Sequence, residues 1–442
     1  MNLLLINLSL RPESFKAIFP IGLGYIATAI KQAGFKFDLL DMNVHKFKAQ
    51  NKLRETLKKK YDVIAFGCIV TGYKMVKEIS KIIREENKDA IIICGNSVAS
   101  SIPRILLEKT EVDIAVVGEG DVVIVDILRN KLFARKYSYA IKEPIKNLDD
   151  LPMLDWDLFD MRQYIDSNKT SIPEPHPVGY AAMNAMPINS ARGCLFKCTF
   201  CYQVFCNNVY RYRSTKSIGK EVDHLKKKYG INYVTFYDDL TLFSRRRAND
   251  FADMMTGKDV YWTACCRADL FTEEDKRLLK RLKKANCISL GYSLESANAD
   301  ILKSMRKKIS LEGFSRQKRL LDEAGIATLT SLVIGYPQET EETLNETFNF
   351  LYDNNIYPSA GYLLPQPATP MYDYAKQNGY IPDEEKYLLA MGDRQDLRLN
   401  MTSMSDEKME GIVHKHLRRI RDKLKLDLDD EHLLKTKVVR GR

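Results

Sequence analysis

Three cysteines fall within eight positions of the segment INSARGCLFKCTFCYQVF, residues 188–205: Cys194, Cys198 and Cys201. Thiols gathered this closely can form disulfides, hold a structural zinc ion or grip an iron–sulfur cluster. The chain has nine cysteines in 442 residues, an odd number. It contains no run of about 18 apolar residues, and the opening MNLLLINLSL is too short for an export leader and lacks a basic start and a cleavage site. A cytoplasmic protein with no membrane span is therefore expected, in a reducing compartment where disulfides do not persist. Zinc normally takes four ligands, as two separated pairs or with a histidine. The nearest histidines are His176, in a proline-rich stretch, and His224, on a predicted helix. Three thiolates instead suit a four-iron four-sulfur cluster: each grips one iron, and the fourth iron stays open to a small molecule.

Composition neither adds to nor competes with this chemistry. With 45% hydrophobic and 29% charged residues the chain reads as an ordinary globular protein, long enough for two domains with their own cores. The net charge of +10 comes largely from helical stretches such as LKKK (57–60) and HLRRIRDKLK (416–425), which read as solvated faces. A basic nucleic-acid-binding protein with a structural metal is the remote alternative. It would show steep salt dependence and carry zinc rather than iron. No aromatic stacking platform or nucleic-acid motif accompanies the charge, so no nucleic-acid partner is expected.

Two series of alternating strands and helices would position the thiols. In the first, strands are predicted at 2–8, 36–42, 62–68, 90–95 and 112–118, with helices at 21–33, 47–60, 73–87, 101–110 and 121–130. Near-continuous Val/Ile/Leu strands between helices mean a parallel sheet covered on both faces, a flavodoxin-like doubly wound α/β domain over residues 1–130. Its ligand belongs at the carboxyl ends of the strands, where GNSVASS (95–101) and GEGD (118–121) stand. Residues 131–180 are rich in Pro and Asp, lack periodicity and read as a linker. The second series has strands at 186–192, 232–238, 260–266, 287–293, 327–334 and 357–363, alternating with helices at 215–228, 244–256, 273–284, 297–305, 310–324 and 340–353. Six such units over 181–375 make a partial (β/α)6 barrel with its site on the carboxyl rim. Residues 376–442 form a small α-rich C-terminal segment. The three cysteines follow the first barrel strand, on that rim.

With this placement, C-x3-C-x2-C flanked by Phe200 before the last cysteine and Tyr202 after it resembles the signature of the radical S-adenosylmethionine (radical SAM) superfamily. The resemblance implies that the open iron binds the amino and carboxylate groups of S-adenosylmethionine beside Phe200 and Tyr202. One electron then cleaves the sulfonium to a 5′-deoxyadenosyl radical that abstracts hydrogen from substrate. FYDD (236–239) resembles the family's second-strand motif, implying that Asp238 and Asp239 accept hydrogen bonds from the methionine amine. WTACCRADL (262–270) places Arg267 to pair with the methionine carboxylate. LGYSLES (290–296) gives Glu295 to the ribose hydroxyls, and SLVIGYPQET (331–340) gives Val333, Ile334 and Gly335 to adenine, with Ser331 and Gln338 replacing the Gly and Glu of the common pattern. LLPQPATPMY (363–372) resembles the family's Pro-rich segment after the sixth strand. Each residue also has a plain structural reading: Asp238 as a helix cap, Arg267 and Glu295 as ion pairs, Gly335 as a turn.

The first half resembles the subfamily with an N-terminal cobalamin-binding domain, through PIGLGYIATAIKQAGFKFDLLDMN (20–43), CGNSVASSIPRILL (94–107) and VDIAVVGEGD (112–121). This implies cobalamin at Gly95, Asn96, Ser97, Val98, Gly118, Glu119 and Gly120, its corrin facing the cluster. The motif D-x-H-x-x-G is absent, and the one histidine of this half, His45, has no glycine three positions on. No histidine is then expected below the cobalt. The first half offers only Cys68 and Cys94, and the last cysteine is Cys287, so no second cluster is expected. By strand alternation Cys265 shares a face with Arg267 and could quench a substrate radical, or simply fill space; Cys206 reads as incidental. The implied activity is functionalisation of an unactivated carbon in a small molecule, by methyl transfer through cobalamin, with electrons from a donor such as flavodoxin or ferredoxin. The alternative is cyclisation, rearrangement or dehydration on the same fold without methyl transfer.

Overall fold

The computed structural model describes residues 1–11, 17–140, 144–169, 182–203, 209–392 and 396–434; His176 and Cys206 lie outside them. Apolar runs build the first sheet from β1 (Leu3–Asn7), β2 (Asp38–Asp41), β3 (Val63–Gly67), β4 (Ile91–Gly95), β5 (Ile114–Val117) and β6 (Tyr137–Ala140). All pairings are parallel, in the order β2-β1-β3-β4-β5-β6. Leu3 to Ile6 are buried on both faces of the sheet, as strands between two helical layers must be. The first five strands match the sequence reading. β6 was not foreseen, because YSYA carries no buried apolar face; backbone pairing of Tyr137 with Ile114 recruits it at the sheet edge. The same stretch holds a helix, Met161–Asn168, capped by Asp160 and buried through Met161, Tyr164 and Ile165.

The second sheet contains β7 (Ala185–Ile188), β10 (Tyr233–Phe236), β11 (Tyr261–Cys265), β12 (Cys287–Gly291) and β13 (Ala327–Leu329), parallel and in that spatial order. A short antiparallel pair, β8 (Ala191–Arg192) and β9 (Arg211–Tyr212), stands at its carboxyl end. The strand expected over 327–334 breaks at Thr330, whose buried hydroxyl accepts the Leu294 N–H at 3.1 Å. β14 (Ser331–Ile334) resumes after the break and pairs with β15 (Ser359–Tyr362). Glu295 bridges back to Leu332, so the open barrel continues across the gap. Phe236 meets Phe251 and Trp262 edge-on, and those two rings lie tilted against each other in the packed core of this half.

The C-terminal segment touches both halves. Helix Asp406–Leu424 buries Met409, Val413, Leu417 and Ile420 in the barrel's core. Helix Glu384–Met391 instead sends Leu388 and Met391 into the core of the first half, where Glu385 pairs with Lys77 and accepts from the Tyr73 hydroxyl. Among the described residues no helix is long and apolar enough to cross a membrane.

Candidate active site

The carboxyl ends of the two sheets open onto one cavity of about 480 Å3. From the first half it is lined by Asn7 at the end of β1, Gly67 at the end of β3, Gly95 and Asn96 at the end of β4, and Gly118 to Asp121 after β5; from the barrel by Asn189, Ala191 to Gly193, Tyr202, Gln203 and Tyr237 to Asp239.

The cysteine loop borders this cavity and is held by the residues between and beside its thiols. Thr199 donates its N–H to the Met305 carbonyl at 3.0 Å and its hydroxyl to the Ser304 carbonyl at 2.9 Å, and also bonds the Tyr336 hydroxyl. Phe200 packs against a core patch that includes Ile301 and Met305. Tyr202 points the other way, donating to the Ser97 carbonyl at 3.0 Å and meeting the Ser101 hydroxyl at 2.9 Å. The loop is thus pinned to both halves, and its three thiols stay partly exposed. Burial raises each of them above the usual thiol range, and Cys201, with Asp239 beside it, is pushed up to about 12. Three protonated thiols close enough to disfavour one another's ionisation suit a group that supplies positive charge. Among the described residues no three His, Cys, Asp or Glu side chains gather around one metal ion. A cluster that takes one thiolate per iron does not require such convergence.

Around the loop, the residues singled out from the sequence divide. Asp238 is buried and fully engaged: it accepts the Ser190 N–H at 2.7 Å, the Ala191 N–H at 3.0 Å and the Ser190 hydroxyl, tying down the turn between β7 and β8. Asp239 faces the cavity, and among the described residues no donor reaches it; burial and Asp238 raise its carboxyl. Arg267 stacks 3.7 Å from the ring centre of Phe196, on the cysteine loop, and contacts Asp269 and the Lys308 carbonyl. Glu295, buried and with φ of +68°, pairs with Lys307 at 3.0 Å. Both charges act on the Cys198 thiol, Lys307 lowering and Glu295 raising it. Lys307 was missed in the sequence because a lysine in the run RKK carries no distinctive pattern. Cys265 is mostly enclosed and pushed up to about 11 by burial, with Asp238 and Asp239 nearby.

Val333 and Ile334 lie on β14, and Gly335 follows with φ of +95°, a conformation that favours glycine. Its N–H donates to Glu339, a buried carboxyl that desolvation pushes up to about 7. Glu339 therefore supplies a carboxylate to this turn one position after Gln338, which the sequence reading overlooked. A Cβ added to Gly335 would lie 3.8 Å from the Met409 sulfur, so the C-terminal helix covers this stretch.

On the opposite side Gly95, Asn96, Gly118, Glu119 and Gly120 line the cavity, while Ser97 and Val98 are buried behind it. Ser97 accepts the Val70 N–H at 3.0 Å. Glu119 is engaged by Arg211 and by Arg192 at 2.9 Å, and Arg192 also pairs with Asp121 at 2.7 Å. This ion network joins the halves beside the cavity; its signal in the sequence, an Arg two positions before Cys194 and two acids after β5, is too short to read as a pair. His45 lines a separate cleft with Asp38 and Asp41.

A B12 binding domain model matches residues 14–128, and the radical SAM superfamily model matches residues 188–351. The anaerobic magnesium-protoporphyrin IX monomethyl ester cyclase of Cereibacter sphaeroides is 26% identical over 83% of this chain and 62% of its own length. An uncharacterized methyltransferase of Pyrococcus horikoshii is 25% identical over 82% of this chain and 79% of its own length. Among solved structures, the radical SAM methyltransferase TsrM of Kitasatospora setae, with tryptophan and a SAM analogue bound, superposes with a TM-score of 0.64 at 18% identity, over 86% of this chain and 76% of its own. The thiol loop fits a four-iron four-sulfur cluster with S-adenosylmethionine, and the glycine-edged cavity fits cobalamin, the cofactors of these two domains. The chain therefore carries a B12 binding domain, residues 14–128, ahead of a radical SAM superfamily domain, residues 188–351.

Proposed function

We propose that the protein transfers a methyl group to an unactivated carbon of a small molecule. When bound, the cluster supplies the electron that splits S-adenosylmethionine to a 5′-deoxyadenosyl radical, and cobalamin serves as the methyl carrier. The observation that carries the reading is the single cavity with the thiol loop and Asp239 on one wall and the Gly95 and Gly118 edge on the other. In this reading Cys194, Cys198 and Cys201 hold the cluster, and Phe200 and Tyr202 fix the loop. Asp239 receives the methionine amine, while Asp238 positions the turn beside it. Arg267 and Glu295 serve the carboxylate and ribose ends, and Val333, Ile334 and Gly335 the adenine. Gly95, Asn96, Gly118, Glu119 and Gly120 form the cobalamin edge, with Ser97 and Val98 supporting it, and Cys265 is a candidate hydrogen-atom donor to a substrate radical. Residues 1–130 would be the cobalamin half, 131–180 the linker, 181–375 the radical half and 376–442 the C-terminal segment. We place the protein in the cytoplasm, with a protein electron donor and no nucleic-acid partner.

The similarity to a cyclase keeps ring formation as the second reading. Anaerobic protein loaded with iron, sulfide and cobalamin, given reductant and S-adenosylmethionine with a trideuterated methyl group, separates the two. Methyl transfer predicts labelled methylcobalamin together with 5′-deoxyadenosine. Deoxyadenosine without label on cobalamin favours cyclisation, and absence of both contradicts the radical reading.

A further inference from the structure

We propose that Lys197, Lys303, Arg306 and Lys308 form the docking surface for an acidic one-electron carrier protein; this rests on the cluster reading above. Lys197 is exposed between Cys194 and Cys198. The loop that carries it is fastened through Thr199 to Ser304 and Met305, and Arg267 bonds the Lys308 carbonyl. Exposed Lys303, Arg306 and Lys308 on that segment therefore border the cysteine loop.

Charge pairing sets these residues apart. On the helix that follows this segment, Leu311–Glu323, every cation is matched: Arg316 with Glu312, Lys318 with Asp322 and Arg319 with Glu323. Among the described residues no carboxylate pairs with Lys197, Lys303, Arg306 or Lys308. Glu295 and Asp269 are already used, by Lys307 and Arg267, and Asp300 stands in the first turn of helix Ala299–Ser304 while Lys303 stands in its last. Leu195, on the same loop, is 53% exposed and gives the patch an apolar centre. Four unmatched cations around an apolar contact suit an acidic protein, steered in by long-range attraction and released at higher ionic strength. Docking there brings the carrier against the loop whose thiolates hold the cluster, with Lys197 adjoining Cys198. One electron passes: the carrier is oxidised by one electron, the cluster is reduced by one, and no bond or proton moves.

The test compares two reductants on the holoenzyme, reading 5′-deoxyadenosine. For Lys197→Glu/Lys303→Glu/Arg306→Glu/Lys308→Glu, dithionite should support the wild-type rate within about twofold, because a small anion needs no docking patch. With sub-saturating flavodoxin hydroquinone the rate should fall about tenfold, and its salt dependence should flatten. If the fourfold variant loses iron, Lys303→Glu/Arg306→Glu, which spares the cysteine loop, should show a fall of about threefold. An unchanged flavodoxin-driven rate overturns the docking surface, as does that result accompanied by lost retention of a single-stranded oligonucleotide, which would assign the patch to nucleic acid. No product from loaded wild-type protein with dithionite overturns the radical reading instead.

Discussion

Asp238 and Asp239 are neighbours with the same side chain and opposite circumstances. At the end of β10, alternation sends one carboxylate inward to three donors and the other into the cavity. Truncating Asp238 strands the Ser190 and Ala191 donors in a buried turn, so Asp238→Ala should cost about 2–4 kcal/mol in urea unfolding. Asp239→Asn should leave unfolding unchanged and weaken S-adenosylmethionine binding about tenfold by equilibrium dialysis. Equal stability for both variants, with binding lost only in Asp238→Ala, would reverse these assignments. From the sequence the two were indistinguishable, because a motif gives position but not which oxygen is already bonded. Arg267 and Glu295 show the same limit: both stand by the cysteine loop, but Phe196 and Lys307, which occupy them, come from other segments.

At the scale of elements, strands and helices with regular apolar spacing were legible to within a few residues: the helix expected over 215–228 is Thr215–Tyr229, which the structure shows capped by Ser214 and ended by left-handed Gly230. What escaped was structure made by long-range partners. YSYA becomes a strand only because β5 offers an edge, and the break at Thr330 exists because Leu294 N–H is nearby. The C-terminal segment is the clearest case. From the sequence it is a small α-rich segment with a basic, solvated helix, yet Glu384–Met391 inserts Leu388 into the first half while Asp406–Leu424 packs on the barrel. Leu388 is fully buried, so Leu388→Ala should lower unfolding free energy by about 2–4 kcal/mol by losing transfer energy and leaving a cavity. A loss below about 0.5 kcal/mol, the level of an ordinary surface substitution, would mean that the strap is not seated there.

The whole molecule is two α/β units turned so that the carboxyl ends of their sheets share one cavity. Parallel sheets place their ligands at those ends, and here the rule applies twice to the same space. The halves are joined on one side by Glu119, Asp121, Arg192 and Arg211, by Tyr202 reaching Ser97 across the cysteine loop, and elsewhere by the C-terminal strap. This arrangement makes the cysteine loop both a metal-binding element and a part of the interface, so its occupancy is the claim on which the rest stands. The direct measurement is iron and sulfide per chain after anaerobic reconstitution, for wild type and for Cys198→Ala. The account predicts about four irons with matching sulfide in the wild type and a marked loss in the variant. An unchanged iron-to-protein ratio in Cys198→Ala would contradict it.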